Sequence, residues 1–162
     1  MVSILMGSKS DYEVMQEAAK ILENFKVKYE LIITSAHRSP QRTKDYIKEA
    51  EKKGVKVFIA AAGMAAHLAG AVAAYTTKPV LGVPMQGSAL ASMDSLFSTV
   101  QMPSGIPVGT LAVGKAGAIN AAYLAVQILA LNDESLEKAL KQDRKDKEEK
   151  LIADSKSVEV LL

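Results

Sequence analysis

The sequence predicts an α/β protein in which a doubly wound parallel sheet is covered by helices on both faces. Short runs rich in Val, Ile and Leu recur with little polar alternation, which is typical of strands buried on both faces. Helical patterns separate these runs, and that alternation favours parallel βα units. The 162 residues, 49% of them hydrophobic, suffice for one substantial core but not comfortably for two. We therefore expect one domain.

Five apolar runs are the predicted strands of this sheet. The first run stands at the start of the chain, and the others recur at intervals long enough to hold a helix or an extended connection. They are Val2–Met6, Leu31–Thr34, Val55–Ala60, Val80–Val83 and Val108–Val113.

Periodicity and end signals indicate the helices between the strands. One face of the first helix carries Val14, Ala18, Ile21, Leu22 and Phe25. Helical spacing of apolar residues over this stretch predicts a helix that packs on the sheet.

The second helix is marked at both ends. Ser39 can cap it, Pro40 fits its first turn, and Gly54 lies beyond its basic end. A third helix is predicted after Gly63, and a fourth, rich in alanine, over residues 116–131.

The stretch from Val57 to Tyr75 is almost continuously apolar and has roughly the length of a membrane span. Much of it is alanine and glycine, it contains His67, and Gly63 stands where a strand would turn into a helix. A buried strand followed by a small-residue helix explains these features better. We therefore predict no membrane partner.

The chain changes character after Asn132. Residues 133–150 are mostly charged, with a thin apolar stripe of Leu136, Ala139 and Leu140. We predict an α/β domain over residues 1–132, of the flavodoxin-like three-layer type, and a C-terminal helix and tail over 133–162. That helix is either a solvated terminal helix or an arm laid on a neighbouring subunit, and we favour the arm.

The charge and cysteine counts exclude several classes of function. Lys and Arg number 20 against 18 Asp and Glu, and a net charge of +2 is too weak to indicate a nucleic-acid partner. The absence of cysteine excludes disulfides, thiolate metal sites and cysteine nucleophiles. The run Met1–Met6 has no basic leader before it and no cleavage-like site after it, so we expect a cytoplasmic protein.

Parallel sheets bind ligands where strands end and helices begin, and the first such junction carries a candidate anion site. Gly7, Ser8, Ser10 and Asp11 follow the first strand and open a helix. Glycine lets a ligand approach the backbone, and hydroxyl and free N–H groups suit a phosphate. Ser10 or Asp11 is equally an ordinary helix cap. The spacings of a Walker loop and of a dinucleotide-binding loop are both missing.

The second junction places an imidazole beside a guanidinium. Ser35, His37 and Arg38 follow the second strand. Arginine can hold a phosphate with two hydrogen bonds, and histidine, with an ordinary pKa of roughly 6.5, can exchange a proton near neutrality. We predict that His37 is catalytic and that Arg38 binds an anion.

The third junction carries small residues and a second histidine. Gly63, Ala65, His67 and Leu68 would leave backbone N–H groups open to a flat ligand. His67 either lies against the substrate or is a buried histidine held within the helix. With two histidines and no cysteine, a metal site would need carboxylates placed by coincidence, so we predict no metal and no cofactor.

The segment from Gln86 to Val108 is long for a simple connection. Long ordered loops often serve binding, and this one is a candidate binding loop, a subunit interface, or both. Its polar and turn-forming residues are Asp94, Ser95, Gln101, Met102, Pro103 and Gly105.

The order of these motifs closely resembles the PurE family, the N5-carboxyaminoimidazole ribonucleotide mutases. The resemblance covers about residues 2 to 131. The matching segments are Met6-Gly7-Ser8-Lys9-Ser10-Asp11, Ser35-Ala36-His37-Arg38, Ala65-Ala66-His67-Leu68, Leu81-Gly82-Val83-Pro84, Asp94-Ser95-Leu96, Gln101-Met102-Pro103, Gly105-Ile106-Pro107-Val108-Gly109-Thr110 and Gly114-Lys115-Ala116-Gly117-Ala118.

The resemblance implies a mutase of purine biosynthesis that converts N5-carboxyaminoimidazole ribonucleotide to 4-carboxy-5-aminoimidazole ribonucleotide. It implies that Ser8, Asp11 and Arg38 hold the ribose phosphate end and that His37 is the acid/base. The implied mechanism is loss of CO2 from the carbamate nitrogen and its recapture at ring carbon C4. A homo-octamer with active sites at subunit contacts is also implied.

Two positions depart from the family pattern, and two other functions remain open. Met64 stands where the family usually has a second glycine, and Ala69 where it usually has proline. A related branch of carboxylases, which use free CO2, typically has lysine after the histidine, so Arg38 favours the mutase. A noncatalytic phosphate-binding module on the same fold is the third possibility.

Overall fold

A five-stranded, all-parallel sheet in the order β2-β1-β3-β4-β5 forms the centre of the computed structural model, which describes residues 1–160. The strands are β1 Val2–Met6, β2 Tyr29–Ile33, β3 Val57–Ala62, β4 Val80–Pro84 and β5 Gly109–Thr110. The helices are α1 Tyr12–Asn24, α2 Pro40–Lys52, α3 Leu68–Ala73, α4 Met93–Val100, α5 Lys115–Ala130 and α6 Glu134–Val158.

The predicted doubly wound sheet is confirmed. β1 and β4 are buried at every position, as expected of strands covered on both faces. The chain leaves β1 for β2 on one side and returns to β3 on the other, so strand order reverses between β1 and β3. A crevice opens at such a reversal, outside the carboxyl ends of the strands.

The register of the central strands determines which loops meet at that crevice. Met6, the last residue of β1, lies opposite Ile33 of β2 and Ala61 of β3. The hydrogen bond from Thr34 N–H to Met6 O, 2.9 Å, and that from Gly7 N–H to Ala61 O, 3.0 Å, extend both pairings by one residue. The loops after β1, β2 and β3 therefore begin side by side.

Several element boundaries differ from the sequence prediction. β2 starts at Tyr29 rather than Leu31, and β3 spans residues 57–62 rather than 55–60. α3 begins at Leu68, because residues 64–67 form tight turns with N–H to O bonds from Ala66 to Met64 and from His67 to Ala65. α6 extends to Val158, beyond the predicted end at Lys150.

β5 is the clearest correction among the strands. It pairs only Gly109 and Thr110 with β4, although residues 108–113 are apolar enough for a longer strand. Beyond Thr110 the chain keeps isolated hydrogen bonds to β4, from Leu111 N–H to Gly82 O and from Gly114 N–H to Pro84 O. Gly114 is in the left-handed region, φ +71°, which takes the chain out of the sheet and into α5.

The segment predicted as a long connection contains α4. This helix buries Ser95 and Thr99 and exposes Met93, Phe97 and Val100, the reverse of an ordinary surface helix. Ser95 Oγ donates to Met85 O at 2.8 Å, and Thr99 Oγ1 donates to Ser95 O at 2.7 Å, so the hydroxyls on the buried face are satisfied. The apolar face is therefore left without a partner within the described chain.

The chain forms two compact units, Met1–Val126 and a second that begins at Gln127, within α5. In the second unit, Asp133 caps α6 by accepting hydrogen bonds from the N–H groups of Ser135 and Leu136. Ion pairs at four-residue spacing line this helix, for example Glu137 with Lys141, and it has no buried residue. None of the helices in residues 1–160 combines the length and hydropathy that a bilayer crossing requires.

Candidate active site

A cavity of about 450 Å³ opens where the loops after β1, β2, β3 and β4 meet. It brings together nearly all of the site residues predicted from the sequence. Its lining is Gly7, Ser8, Ser10, Asp11, Ser35, Ala36, His37, Arg38, Ala62, Gly63, Met64, Ala65, Leu68, Gln86 and Gly87.

The turn after β1 is a closed capping arrangement. Ser8 N–H donates to Asp11 Oδ2 at 3.1 Å, and Ser10 N–H donates to Ser8 Oγ at 3.3 Å. These reciprocal bonds fix the turn before α1 begins. A Cβ added at Gly7 would lie 3.6 Å from Ala62 Cβ, an ordinary contact, so glycine here leaves room in the cavity.

Asp11 is the buried acidic group of this turn. Burial raises the pKa of its carboxyl above the ordinary value, while hydrogen bonds from Ser10 and from Ser8 N–H and the charge of Arg38 oppose the rise. Both the helix cap and the cavity lining predicted for Asp11 are therefore present in one side chain.

The turn after β2 is tied to the turn after β1. Arg38 Nη2 donates to Gly7 O at 2.7 Å, so the guanidinium lies against the backbone of the anion turn. Arg38 N–H donates to Ser35 Oγ at 3.1 Å, which orders the loop that carries both Arg38 and His37. A ligand anion at Gly7–Asp11 would lie within reach of this guanidinium.

Ser39 precedes α2 as predicted, but it does not cap that helix through its side chain. Its hydroxyl instead accepts a hydrogen bond from Ser35 N–H at 3.0 Å. Ser39 therefore closes the loop that carries His37 rather than satisfying the first turn of the helix.

The two histidines lie against each other. His37 Nε2 is 2.8 Å from His67 Nδ1, and the ring centroids are 4.9 Å apart at an interplanar angle of 74°. In such a bond one nitrogen donates and the other accepts, so the tautomers of the two rings are coupled. His67 is exposed, so the buried-histidine alternative is wrong; it does not line the cavity itself but contacts the residue that does.

The loop after β3 brings Gly63, Ala65 and Leu68 to the cavity wall, as predicted. It also brings Met64, whose backbone lies in the left-handed region at φ +55° and whose side chain is 68% exposed. That backbone region favours glycine, so the departure from the family pattern at this position has a structural cost.

Sequence reasoning missed four lining residues: Ala36, Ala62, Gln86 and Gly87. The two alanines carry no chemical signal. Gln86 could have been found, because it follows β4 at the same edge of the sheet. A Cβ added at Gly114 would come within 2.9 Å of Gln86 Cδ, so this glycine gives the Gln86 side chain its place.

The rest of the segment after Gln86 and Gly87 does not line the cavity. Asp94 accepts from Ser88 Oγ at 2.6 Å and from Ser95 N–H at 2.9 Å, which orders the start of α4. Across residues 1–160 no group of three or more His, Cys, Asp or Glu side chains is placed to hold a metal ion.

Comparison with known proteins identifies the family. The profile of the AIR carboxylase family matches residues 1–150. The chain is 52% identical to an N5-carboxyaminoimidazole ribonucleotide mutase of Vibrio parahaemolyticus, covering 98% of both chains. It is 56% identical to the Escherichia coli protein of the same name, covering 89% of this chain and 85% of that one.

A solved structure agrees with these relatives. The crystal structure of Treponema denticola PurE superimposes with a TM-score of 0.89 at 29% identity, covering 98% of both chains. Fold, coverage and identity point the same way. The chain therefore belongs to the AIR carboxylase family and, within it, to the group of the N5-carboxyaminoimidazole ribonucleotide mutases.

Proposed function

We propose that this chain converts N5-carboxyaminoimidazole ribonucleotide to 4-carboxy-5-aminoimidazole ribonucleotide in purine biosynthesis, with His37 as acid and base. One observation carries the assignment of roles to residues. A single cavity joins the Gly7–Asp11 turn, the Arg38 guanidinium and the His37 imidazole. An anion cradle beside a proton-exchanging group suits a phosphorylated substrate that must gain and lose a proton.

The ribose phosphate end is placed at the turn after β1. Ser8 and Ser10 supply hydroxyls, and Arg38, already against Gly7 O, supplies the positive charge. Asp11 would repel a phosphate when ionised, so its role is to accept a hydrogen bond from a ribose hydroxyl. The imidazole ring then extends toward Ser35, His37 and the loop of Gly63, Ala65 and Leu68.

The reaction balances with one histidine. The N–C bond of the carbamate breaks and releases CO2, and the ring amine takes a proton from protonated His37. C4 then attacks the carbon of CO2 to form a C–C bond, and neutral His37 removes the C4 proton. No net proton is consumed, and the cavity contributes confinement and orientation.

His67 would position His37 for both transfers. While Nε2 of His37 is bonded to His67 Nδ1, proton exchange with the substrate runs through His37 Nδ1. Protonated His37 donates its Nε2–H to His67, which holds the ring in one orientation while it is charged.

An assay without ATP tests the proposal and separates it from the alternatives. We expect rapid conversion of the N5-carbamate. Turnover only of the uncarboxylated ribonucleotide with added CO2 would indicate the carboxylase instead. No turnover of either, with ribonucleotide binding retained, would indicate the noncatalytic module.

We propose further that the enzyme is a homo-octamer with active sites at subunit contacts, and that residues 133–162 pack on a neighbouring subunit. The exposed apolar face of α4, on which Phe97 is 57% exposed, supports a second copy as the occupant. α6, without a buried residue, supports the arm. A cytoplasmic location accords with a phosphorylated substrate, which does not cross membranes freely.

Sedimentation velocity tests the assembly. We expect a species of eight 17.3 kDa chains and its dissociation in Phe97→Asp. Truncation before Asp133 should weaken the assembly without abolishing the sheet's far-UV dichroism. A monomeric wild-type chain with full activity would refute both the octamer and the interfacial site.

A further inference from the structure

Met64 combines two unusual properties at the edge of the cavity. Within residues 1–160 it is one of four non-glycine residues with positive φ, the others being Lys26, Ala91 and Ser92. Of these four only Met64 lines the cavity. Backbone strain of this kind costs on the order of 1–3 kcal/mol and persists where the surroundings impose it, often at functional sites.

The side chain at this position differs from the rest of the apolar lining. Ala36, Ala62 and Ala65 are short, and Leu68 is fixed by burial. Met64, at 68% exposed, is the one long apolar lining side chain with freedom to move among the residues described. A thioether chain has three rotatable bonds and makes favourable contacts with ring edges.

The tight turns around Met64 hold its base in place while the chain moves. Met64 O accepts from Ala66 N–H at 2.9 Å, and Ala65 O accepts from His67 N–H at 2.8 Å. The same loop carries His67, which is bonded to His37. Met64 is thus rooted next to the proposed acid/base, on a fixed backbone with a flexible end.

We propose that the Met64 side chain folds over the bound imidazole ring as an apolar cover that retains the released CO2 until C4 captures it. The inference rests on the proposed mutase reaction, which passes through free CO2 in the cavity. CO2 is small, uncharged and held by no ionic contact, so only walls keep it near C4. The cavity is open at the position where Met64 is exposed, and an apolar cover there excludes water as well.

Isotope retention measures this cover directly. N5-carboxyaminoimidazole ribonucleotide labelled with 13C in its carbamate is turned over in buffer equilibrated with unlabelled CO2 and carbonic anhydrase. The fraction of 4-carboxy product that keeps 13C is read by mass spectrometry. We expect wild type to retain most of the label.

Four variants separate the side chain from the backbone. Met64→Gly removes both the cover and the strain, and Met64→Asn removes the cover with a residue that tolerates the left-handed region. Both should release CO2 to the pool about fivefold more often, the factor that corresponds to one lost thioether–ring contact. Met64→Leu should retain label as wild type does. Lys26→Gly, at the same φ of 55° but away from the cavity, is the control for relief of strain.

The outcomes distinguish the two proposals. Unchanged retention in Met64→Gly and Met64→Asn, with wild type active, would overturn the cover and leave the mutase standing. Loss of label in Met64→Gly alone would show that loop rigidity, and not the side chain, retains CO2, which also overturns it. A wild-type chain that makes no 4-carboxy product from the carbamate would overturn both.

Discussion

Two polar clusters flank the same central strand, and they differ in what their side chains face. The Tyr46 cluster (Ser3, Glu30, Tyr46 and Lys53) lies at the amino half of β1 and β2. Tyr46 OH donates to Glu30 Oε2 at 3.0 Å, so Ser3 Oγ donates to Tyr46 OH at 2.7 Å, and Lys53 Nζ bonds Glu30 Oε1 at 2.8 Å. This cluster satisfies itself.

The cavity cluster (Ser8, Asp11, Ser35, His37, Arg38 and His67) lies at the carboxyl end of the same strands. Its members also bond each other, but His37 and Arg38 are exposed, and all except His67 line an open cavity. Polar groups that partner only each other contribute to stability. Polar groups that keep an exposed side in a cavity are available to a ligand. Substitutions in the two clusters should therefore affect different quantities.

The largest expected effect is on the reaction rate, in His37→Asn. Asparagine can keep a hydrogen bond to His67 but cannot exchange a proton near neutrality. We expect the mutase rate to fall by about 10²–10⁴, with ribonucleotide binding and the free energy of unfolding unchanged. Steady-state kinetics, calorimetry and urea denaturation check the three quantities. An unaltered rate would refute the catalytic role.

The next effect is on binding, in Arg38→Ala. Loss of one charge-assisted contact should weaken ribonucleotide binding by roughly 1.5–3 kcal/mol, about tenfold or more, as measured by calorimetry. Arg42→Ala is the matched control, because Arg42 is exposed on α2 and does not line the cavity. Equal affinities in both variants would show that Arg38 is not the phosphate contact.

The third effect is on stability, in Tyr46→Phe. Removing the hydroxyl leaves the fully buried Ser3 without its acceptor, so the free energy of unfolding should fall by about 1–2 kcal/mol. The mutase rate should stay at the wild-type value. Urea denaturation and kinetics on one sample check both; a loss of rate without a loss of stability would contradict the division between the clusters.

The smallest effect is a pH dependence of stability. Burial raises the pKa of Tyr46 to about 12, and the neighbouring Glu30 acts in the same direction. The folded chain thus holds this proton more tightly than the unfolded chain does. Its contribution to stability is present below the ordinary tyrosine value of about 10 and is lost as pH rises through 12.

Urea denaturation between pH 9 and 12 should show a steeper loss of stability in wild type than in Tyr46→Phe. Other tyrosines and lysines titrate in both proteins, so the difference between the two curves isolates Tyr46. Parallel curves would show that the Tyr46 hydroxyl is not protected.

The same distinction explains what the sequence could predict. Apolar runs predicted the buried strands, because burial on both faces leaves a mark on every residue. The cavity residues at the ends of β1, β2 and β3 could be placed because parallel strands end at one edge. The contact of His67 with His37 could not be predicted, since it depends on how residues 64–67 turn.

Other features left a misleading mark or none. α4 exposes Phe97 and buries Ser95, so its apolar residues gave no signal of a helix that packs on the sheet. The apolar residues 108–113 suggested a longer β5, but edge pairing ends after Thr110. Met64 looked like a side-chain change, whereas its left-handed backbone is visible only in three dimensions.

The central claim is that one cavity holds the phosphate at the first turn and presents ring carbon C4 to His37. A crystal structure with the 4-carboxy ribonucleotide bound tests it most directly. We expect the phosphate on Ser8, Ser10 and Arg38, with a His37 ring nitrogen about 3–3.5 Å from C4 or its carboxylate. A ligand seated elsewhere, or a ring turned away from His37, would contradict the account.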